Sequence, residues 1–255
     1  MLNLRLSLIA FAVGAASLCS AADTRDATAT AQLEIQAESG DAEAQFRLGL
    51  LHYQNQNPNY AVAATWLQRA AQKGHSEAQA LIATFYSEGL GVQRSELEAL
   101  KWYQAAAEQG HVGSQVILAN MYFNGIGVAQ DHEKAVRWYL RAAEQGDPGA
   151  QSSLGYMYLA GLGTSPNPVA SVRWYRRAAQ QGNTAAQFNL GLIYAHGRGV
   201  TKDVVQGYVY FYLAGKQGHE KATRELERML PTMTSSQLLR ANNMLRELRS
   251  SPREN

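Results

Sequence analysis

Along most of this chain apolar residues recur three and four positions apart, the spacing that lines one face of an α-helix. Two such helical patterns alternate, and the pair repeats about every 36 residues. The first pattern carries Leu48-Gly49, Ile82-Ala83, Leu118-Ala119, Leu154-Gly155 and Leu190-Gly191 in one slot, behind Gln45, Gln79, Gln115, Gln151 and Gln187. Tyr86, Tyr122, Tyr158 and Tyr194 follow, and then a short glycine turn, as in Gly89-Leu90-Gly91 and Gly161-Leu162-Gly163. The second pattern carries Trp66, Trp102, Trp138, Trp174 and then Tyr210, each followed by a large residue: Leu67, Tyr103, Tyr139, Tyr175 and Phe211. Small pairs such as Ala106-Ala107 come next, and each period closes on a glycine: Gly74, Gly110, Gly146, Gly182 and Gly218.

These positions predict tandem helical hairpins. The glycines permit the positive φ that tight turns and helix C-caps require. Small residues at Gly49, Ala83, Ala119, Gly155 and Gly191 let the two helices of a hairpin approach closely. The Trp or Tyr then fills the space against the neighbouring hairpin. One hairpin cannot bury its own apolar face, so the units must stack. The expected fold is all-α, a right-handed superhelical solenoid of antiparallel hairpins. Its expected divisions are residues 1–21, an export segment; 22–40, a capping half-repeat; 41–218, five repeats; and 219–255, capping helices and tail. In the first repeat Asn55-Gln56-Asn57-Pro58 stands in place of the glycine turn. After Gly218 a helix over 219–230 stops at Pro231, and Thr234-Ser235-Ser236 caps a last amphipathic helix.

The order Ala-Gln-x-x-Leu-Gly-x-x-Tyr, Gly-x-Gly-Val, Ala-x-x-Trp-Tyr-x-x-Ala-Ala and a closing Gly resembles the SEL-1-like repeat, a relative of the tetratricopeptide repeat with a longer internal turn. The resemblance covers residues 41 to 218. It departs at Thr164, which stands for Val, at Gly207, which stands for Ala and is expected to loosen the last unit, and at His52 in the first Tyr slot.

The amino terminus changes the picture of where the protein works. Met1 to Arg5 hold one positive charge, Leu6 to Leu18 are apolar, and small residues at Cys19 to Ala22 precede a polar stretch. That is the layout of a cleaved secretory signal, with cleavage expected after Ala21 or Ala22. Leu18 before Cys19 argues against a lipid anchor, so no integral or lipid membrane anchor is expected. The single cysteine leaves with the signal, which removes disulfides, thiol nucleophiles and Cys metal sites from the mature protein. A periplasmic or secreted location follows as an expectation. A net charge of only +2 offers no basic surplus for nucleic acid.

Candidate chemistry is sparse. His75, His111 and His219 each follow a closing glycine, where Asp41, Asp147 and Asn183 sit in other repeats, so they read as helix N-caps. The chain holds no His-Glu-x-x-His pattern, no Gly-x-Ser-x-Gly elbow and no phosphate-loop Lys-Ser. No catalytic residue, metal or cofactor is expected. Some exported relatives bind β-lactams but are Cys-rich, so an envelope hydrolase or β-lactam-binding enzyme is the disfavoured class.

The resemblance implies that the first helix of each hairpin lines a concave groove. Carrying the usual offsets over gives Phe46 and Leu50, Thr84 and Glu88, then Asn120, Phe123 and Asn124. Tyr156 and Leu159 follow, then Phe188, Leu192 and His196. A slip of one position would change every name, and a neighbouring hairpin burying some of them is the competing reading. The set holds no Lys or Arg, which favours a neutral or apolar segment held by aromatic anchors. The resemblance thus implies a monomeric, non-catalytic scaffold that binds a partner protein or extended peptide. An immunity protein that inhibits a secreted toxin such as a lipase is the alternative within that class.

Overall fold

The computed structural model describes residues 23–250, so the expected signal at 1–21 lies outside the described residues. A long first helix, α1 (Asp23–Ser39), leads into five hairpins. These are α2 (Ala42–Gln54) with α3 (Tyr60–Gln72), α4 (Ser76–Glu88) with α5 (Glu96–Glu108), and α6 (Val112–Asn124) with α7 (His132–Glu144). Then come α8 (Pro148–Ala160) with α9 (Pro168–Gln180) and α10 (Thr184–His196) with α11 (Val204–Lys216). A shorter α12 (Glu220–Met229), a 3₁₀ turn at Leu230–Thr232 and α13 (Ser235–Ser250) close the stack. No strand occurs among the described residues. Within each hairpin the two helices pack on one another, each second helix packs on the first helix of the next hairpin, and α8 also touches α10. The protein is a helical solenoid.

Helix boundaries follow from capping chemistry. The second helices start behind Asn59, Ser95, Asp131, Asn167 and Asp203, whose side chains accept backbone N–H groups of the first turn. The capping residues of the first helices include all three histidines expected there: Nδ1 of His75, His111 and His219 accepts from Ala78, Ser114 and Ala222. Thr234 and Gln237 cap α13 reciprocally, each side chain bonding the other's backbone N–H.

The two glycines of each internal turn do different work. Gly161 ends α8 in the left-handed conformation at φ 70°. Gly163 lies against the start of α7 in the preceding hairpin, where a Cβ would come within 2.3 Å of the His132 carbonyl carbon. The internal turn of one repeat therefore docks on the helix start of the repeat before it, and only a residue without a side chain fits.

The core alternates large first-helix residues with second-helix alanines. Leu48, Ile82, Leu118, Leu154 and Leu190 are essentially inaccessible, as are Ala70, Ala106, Ala142 and Ala178. Burying each such Leu contributes about 1.5–3 kcal/mol. Three of the half-buried tryptophans carry an arginine one turn on: Arg69, Arg141 and Arg177 lie 4.5, 4.5 and 4.8 Å from the rings of Trp66, Trp138 and Trp174.

A buried glutamine relay joins successive hairpins. The Gln115 amide donates to the Ala107 carbonyl at 3.1 Å, and its oxygen accepts from Gln145 at 2.8 Å. The same pair of bonds recurs at Gln79 with Gln109, Gln151 with Gln181 and Gln187 with Gln217. Each relay satisfies an end-of-helix carbonyl and spans three helices, stabilising the stack by about 1 kcal/mol per bond. In the first hairpin Lys73 occupies the outer position and reaches instead to the Gly40 carbonyl, leaving Oε1 of Gln45 buried without a partner.

Gly207 behaves differently from expectation. It is buried, and a Cβ there would lie 3.0 Å from Ala195, so it permits a close approach of α10 and α11 rather than loosening the unit. α13 folds back on α11, where Ala241 and Leu245 meet Val205 and Val209.

Two glycine replacements should separate conformational strain from close approach. Gly110 has φ 93°, and a Cβ placed there would meet nothing within 4 Å. Gly110→Ala is expected to cost about 1 kcal/mol from the backbone alone. Gly163→Ala meets backbone and should cost at least about 3 kcal/mol. Equal shifts in urea midpoint for the two variants would contradict the docking of turn on helix start.

Candidate protein-binding groove

The expected groove residues lie on the first helices α2, α4, α6, α8 and α10, and some of them pair with the second helices. Leu50, Thr84, Asn120, Tyr156 and Leu192 fall in one slot, and in three hairpins that slot lies by the phenol of the second helix. Thr84 Oγ1 and Tyr103 Oη are 3.0 Å apart, and the Tyr139 hydroxyl donates to Asn120 Oδ1 at 2.6 Å. In the fourth hairpin the slot holds Tyr156, and the Tyr175 hydroxyl is buried without a hydrogen-bond partner. Burial, with a smaller contribution from Tyr156, pushes the Tyr175 phenol far above its ordinary pKa.

The hydroxyl pattern follows from the small-residue slot. A Cβ on Gly155 would lie 2.7 Å from the Tyr175 ring, and one on Gly191 2.5 Å from Phe211. Where the slot holds Ala83 or Ala119, the phenol reaches a polar groove residue; where it holds Gly155, the ring sinks to zero exposure. Gly191 and Gly49 pair with Phe211 and Leu67, which carry no hydroxyl to strand. Tyr175 is the exception.

None of the twelve groove candidates is buried, and Glu88, Asn120, Asn124, Tyr156 and His196 are exposed. They differ in availability. Phe46 packs on His75 and Phe188 on His219, each with ring centroids 4.4 Å apart, and Phe123 packs on His132 at 5.1 Å. Leu159 is half-buried against the core of the fourth and fifth hairpins. The Asn124 amide turns back to the Asn120 carbonyl, and Nδ1 of His196 lies 2.9 Å from the Leu192 carbonyl. Asn120 keeps its amide donors while Asn124 spends one on its own helix. Tyr156, half exposed, is the most open aromatic of the set.

The capping histidines were legible as caps, but their second role was not. His75 joins the ring of Phe46 to Glu43, with Nε2 2.9 Å from the carboxylate, and this hydrogen bond and then Arg47 hold Glu43 below the usual carboxylate range. The signal lay in matched slots: Phe46 with His75 at one end of the array, Phe188 with His219 at the other. Burial pushes the His111 imidazole below its ordinary pKa, against a smaller opposing pull from Glu77.

Among the described residues no three His, Cys, Asp or Glu side chains converge to hold a metal ion. No helix among them is long and apolar enough to cross a membrane.

Comparison with known proteins places this architecture. The Sel1 repeat model matches residues 42–75, 76–111, 113–147, 148–183 and 184–219. The chain is similar to a Sel1 repeat protein from Oxalobacter formigenes, at 28% identity and TM-score 0.71, covering 81% of this chain and 88% of that one. It is also similar to a protective antigen of uropathogenic Escherichia coli with an SLR fold, at 32% identity and TM-score 0.67 over 86% of this chain. The match spans 56% of that antigen's length. An immunity protein from Pseudomonas aeruginosa is a distant match, at 20% identity and TM-score 0.46 over 83% of this chain and 82% of that one, too remote to bear on role. No curated protein matches.

Two measurements test the local chemistry. Tyr139→Phe removes a made hydrogen bond and should cost about 1 kcal/mol, whereas Tyr175→Phe removes an unpaired buried hydroxyl and should be neutral or stabilising by up to about 1 kcal/mol. Comparable losses in the two variants would mean that Tyr175 has a partner in solution. His111 has a lowered folded pKa, so the unfolded chain binds the proton first as pH falls. Its contribution is intact above about pH 6.5 and is lost below it, towards the folded pKa. Thermal melts of wild type and His111→Asn, which keeps a capping side chain, should diverge between about pH 7.5 and about pH 5.5, with the wild type falling further. Parallel curves would refute the assignment.

Proposed function

The chain belongs to the Sel1 repeat family, and on that premise we propose that it is a non-catalytic scaffold holding a partner protein segment against the face built by α2, α4, α6, α8 and α10. The observation that carries this reading is the contrast between recurring and non-recurring positions. The recurring ones form the buried core, its half-buried flanks and the turns, while none of the twelve varied positions on the first helices is buried. A solenoid that keeps a continuous, chemically varied face along five repeats has an extended surface for another chain.

The composition of that face sets the ligand. Tyr156 supplies an open aromatic, Phe123, Leu159 and Leu192 supply apolar contact, and Asn120 supplies amide donors for a peptide carbonyl. With no Lys or Arg among the twelve, a largely apolar extended segment fits better than a strongly anionic one. The layout of residues 1–22 supports a periplasmic or secreted site of action. An assembly adaptor and an inhibitor seated on a toxic enzyme would use the same kind of face, and the captured protein tells them apart.

Affinity capture from periplasmic extract, with mass spectrometry of the bound protein, is the direct test. A partner retained by wild type should be lost by Phe123→Ala/Tyr156→Ala, about a hundredfold weaker for two aromatic anchors. The double variant should keep the helical signal and cooperative melting of wild type. Undiminished capture would sink the groove.

A further inference from the structure

The five hairpins act as internal controls for one another, and one cleft stands apart. It lies where α9 meets the loop ahead of α11, a cavity of about 390 Å³. Val169, Val172 and Val200 line it together with Arg173, Arg176 and Lys202. Val169 is 64% exposed although it is an aliphatic side chain. The Tyr194 ring fixes one of the cations: the Arg176 guanidinium donates to its hydroxyl and lies 5.7 Å from its centroid.

Around the corresponding helix starts of the second and third hairpins most cations have a carboxylate close by. Arg137, which holds the slot of Arg173 one repeat earlier, forms no ion pair among the described residues but acts on the nearby Asp131 carboxylate. Arg94 pairs with Glu96 at 2.7 Å, Lys101 with Glu98 at 2.6 Å and Lys134 with Asp131 at 3.2 Å. In the α9 cleft, Arg173, Arg176 and Lys202 make no ion pair among the described residues. The reason is plain in the sequence: between Asp147 and Asp203 there are five Lys or Arg residues and no carboxylate. Asp203 itself lines the cleft, but it caps α11 through Val205 and Gln206 and lies 3.8 Å from Arg240, so its charge is shared elsewhere.

We propose that this cleft is a second docking site, separate from the first-helix groove, that takes an acidic segment of a partner protein. A carboxylate would sit among Arg173, Arg176 and Lys202, and an adjacent apolar side chain would cover the valines. Two of the cations are arginines, whose planar fork matches a carboxylate bidentately. Three cations beside one carboxylate suit one or two singly charged groups. The valines favour a ligand that adds an apolar contact over a purely electrostatic one. A membrane surface would be met by a broad polybasic face, which this narrow cleft lacks.

The test uses full-length protein and a fluorescein-labelled peptide of alternating Glu and Leu, with fluorescence anisotropy as the readout. Wild type should bind it, and a matched peptide with Gln for Glu should bind at least about tenfold more weakly. Arg173→Glu and Lys202→Glu should each weaken binding about tenfold or more. Arg177→Glu makes the same charge change on the same helix, but that guanidinium lies over Trp174 outside the cleft, so affinity should hold within about twofold. Phe123→Ala/Tyr156→Ala should leave it unchanged, which separates this site from the groove. Failure of wild type to bind the acidic peptide would overturn the proposal, as would equal binding of the Gln peptide or an equal loss in Arg177→Glu. Binding of phosphatidylglycerol vesicles or inorganic phosphate, with the same dependence on Arg173 and Lys202 and in place of the peptide, would also overturn it.

Discussion

Everything in this solenoid hangs on how closely the two helices of a hairpin can approach at one point. A large second-helix side chain presses on a first-helix residue that has a methyl group or nothing. With glycine at 155 and 191 the rings of Tyr175 and Phe211 rest where a Cβ would stand, at 2.7 and 2.5 Å. With alanine at 83 and 119 the phenol hydroxyls meet Thr84 and Asn120. Glycine in this slot thus goes with a ring at zero exposure, and alanine with a buried phenol whose hydroxyl meets a polar residue of the first helix. Tyr175, a phenol over a glycine, is caught between the two solutions, and its unpaired hydroxyl costs up to about 1 kcal/mol.

The same approach fixes what happens between hairpins. Every helix end leaves backbone groups without intrahelical partners, and each second helix ends in carbonyls that the next hairpin covers. The glutamine relay satisfies them with neutral amides, so the junctions need no buried charge and no desolvation of ions. The turn glycine then locks the other end by resting on the preceding helix start. Register along the array is set at both ends of each helix pair. Where the relay breaks, at Lys73, the cost falls at the amino-terminal edge beside α1.

The parts legible in the sequence were those under the same constraint in repeat after repeat. Trp66 to Tyr210, the Leu-Gly slot, the glycine turns and the capping histidines each recur because every hairpin solves the same packing problem. The relay was half visible: Gln45 to Gln187 formed a clear column, but their partners Gln109 to Gln217 looked like ordinary polar residues at helix ends. Gly207 read as a weakness because a missing methyl leaves no trace of what fills its place; Ala195 fills it. The groove names followed from family offsets, yet whether Asn124 faced a ligand or its own helix depended on one rotamer.

Function sits where the repetition fails, and a repeat protein makes such failures measurable. A lone arginine cluster on an ordinary domain has no reference. Here Arg173 and Lys202 can be set against Lys101 and Arg94, which hold the same slots in the second hairpin and are both tied to carboxylates. The groove and the cleft differ in the same systematic way. Along the first helices the varied residues are mostly aromatic, aliphatic and amide, while the α9 cleft joins cations without a carboxylate partner to the exposed Val169. The first surface is built to bury apolar area, the second to orient a charge, and long-range attraction to the second would bring an acidic partner in before contact with the first is made. A solenoid carrying both can grip one extended partner at two points, and the affinity of such a grip grows with the effective concentration that the rigid stack enforces between them.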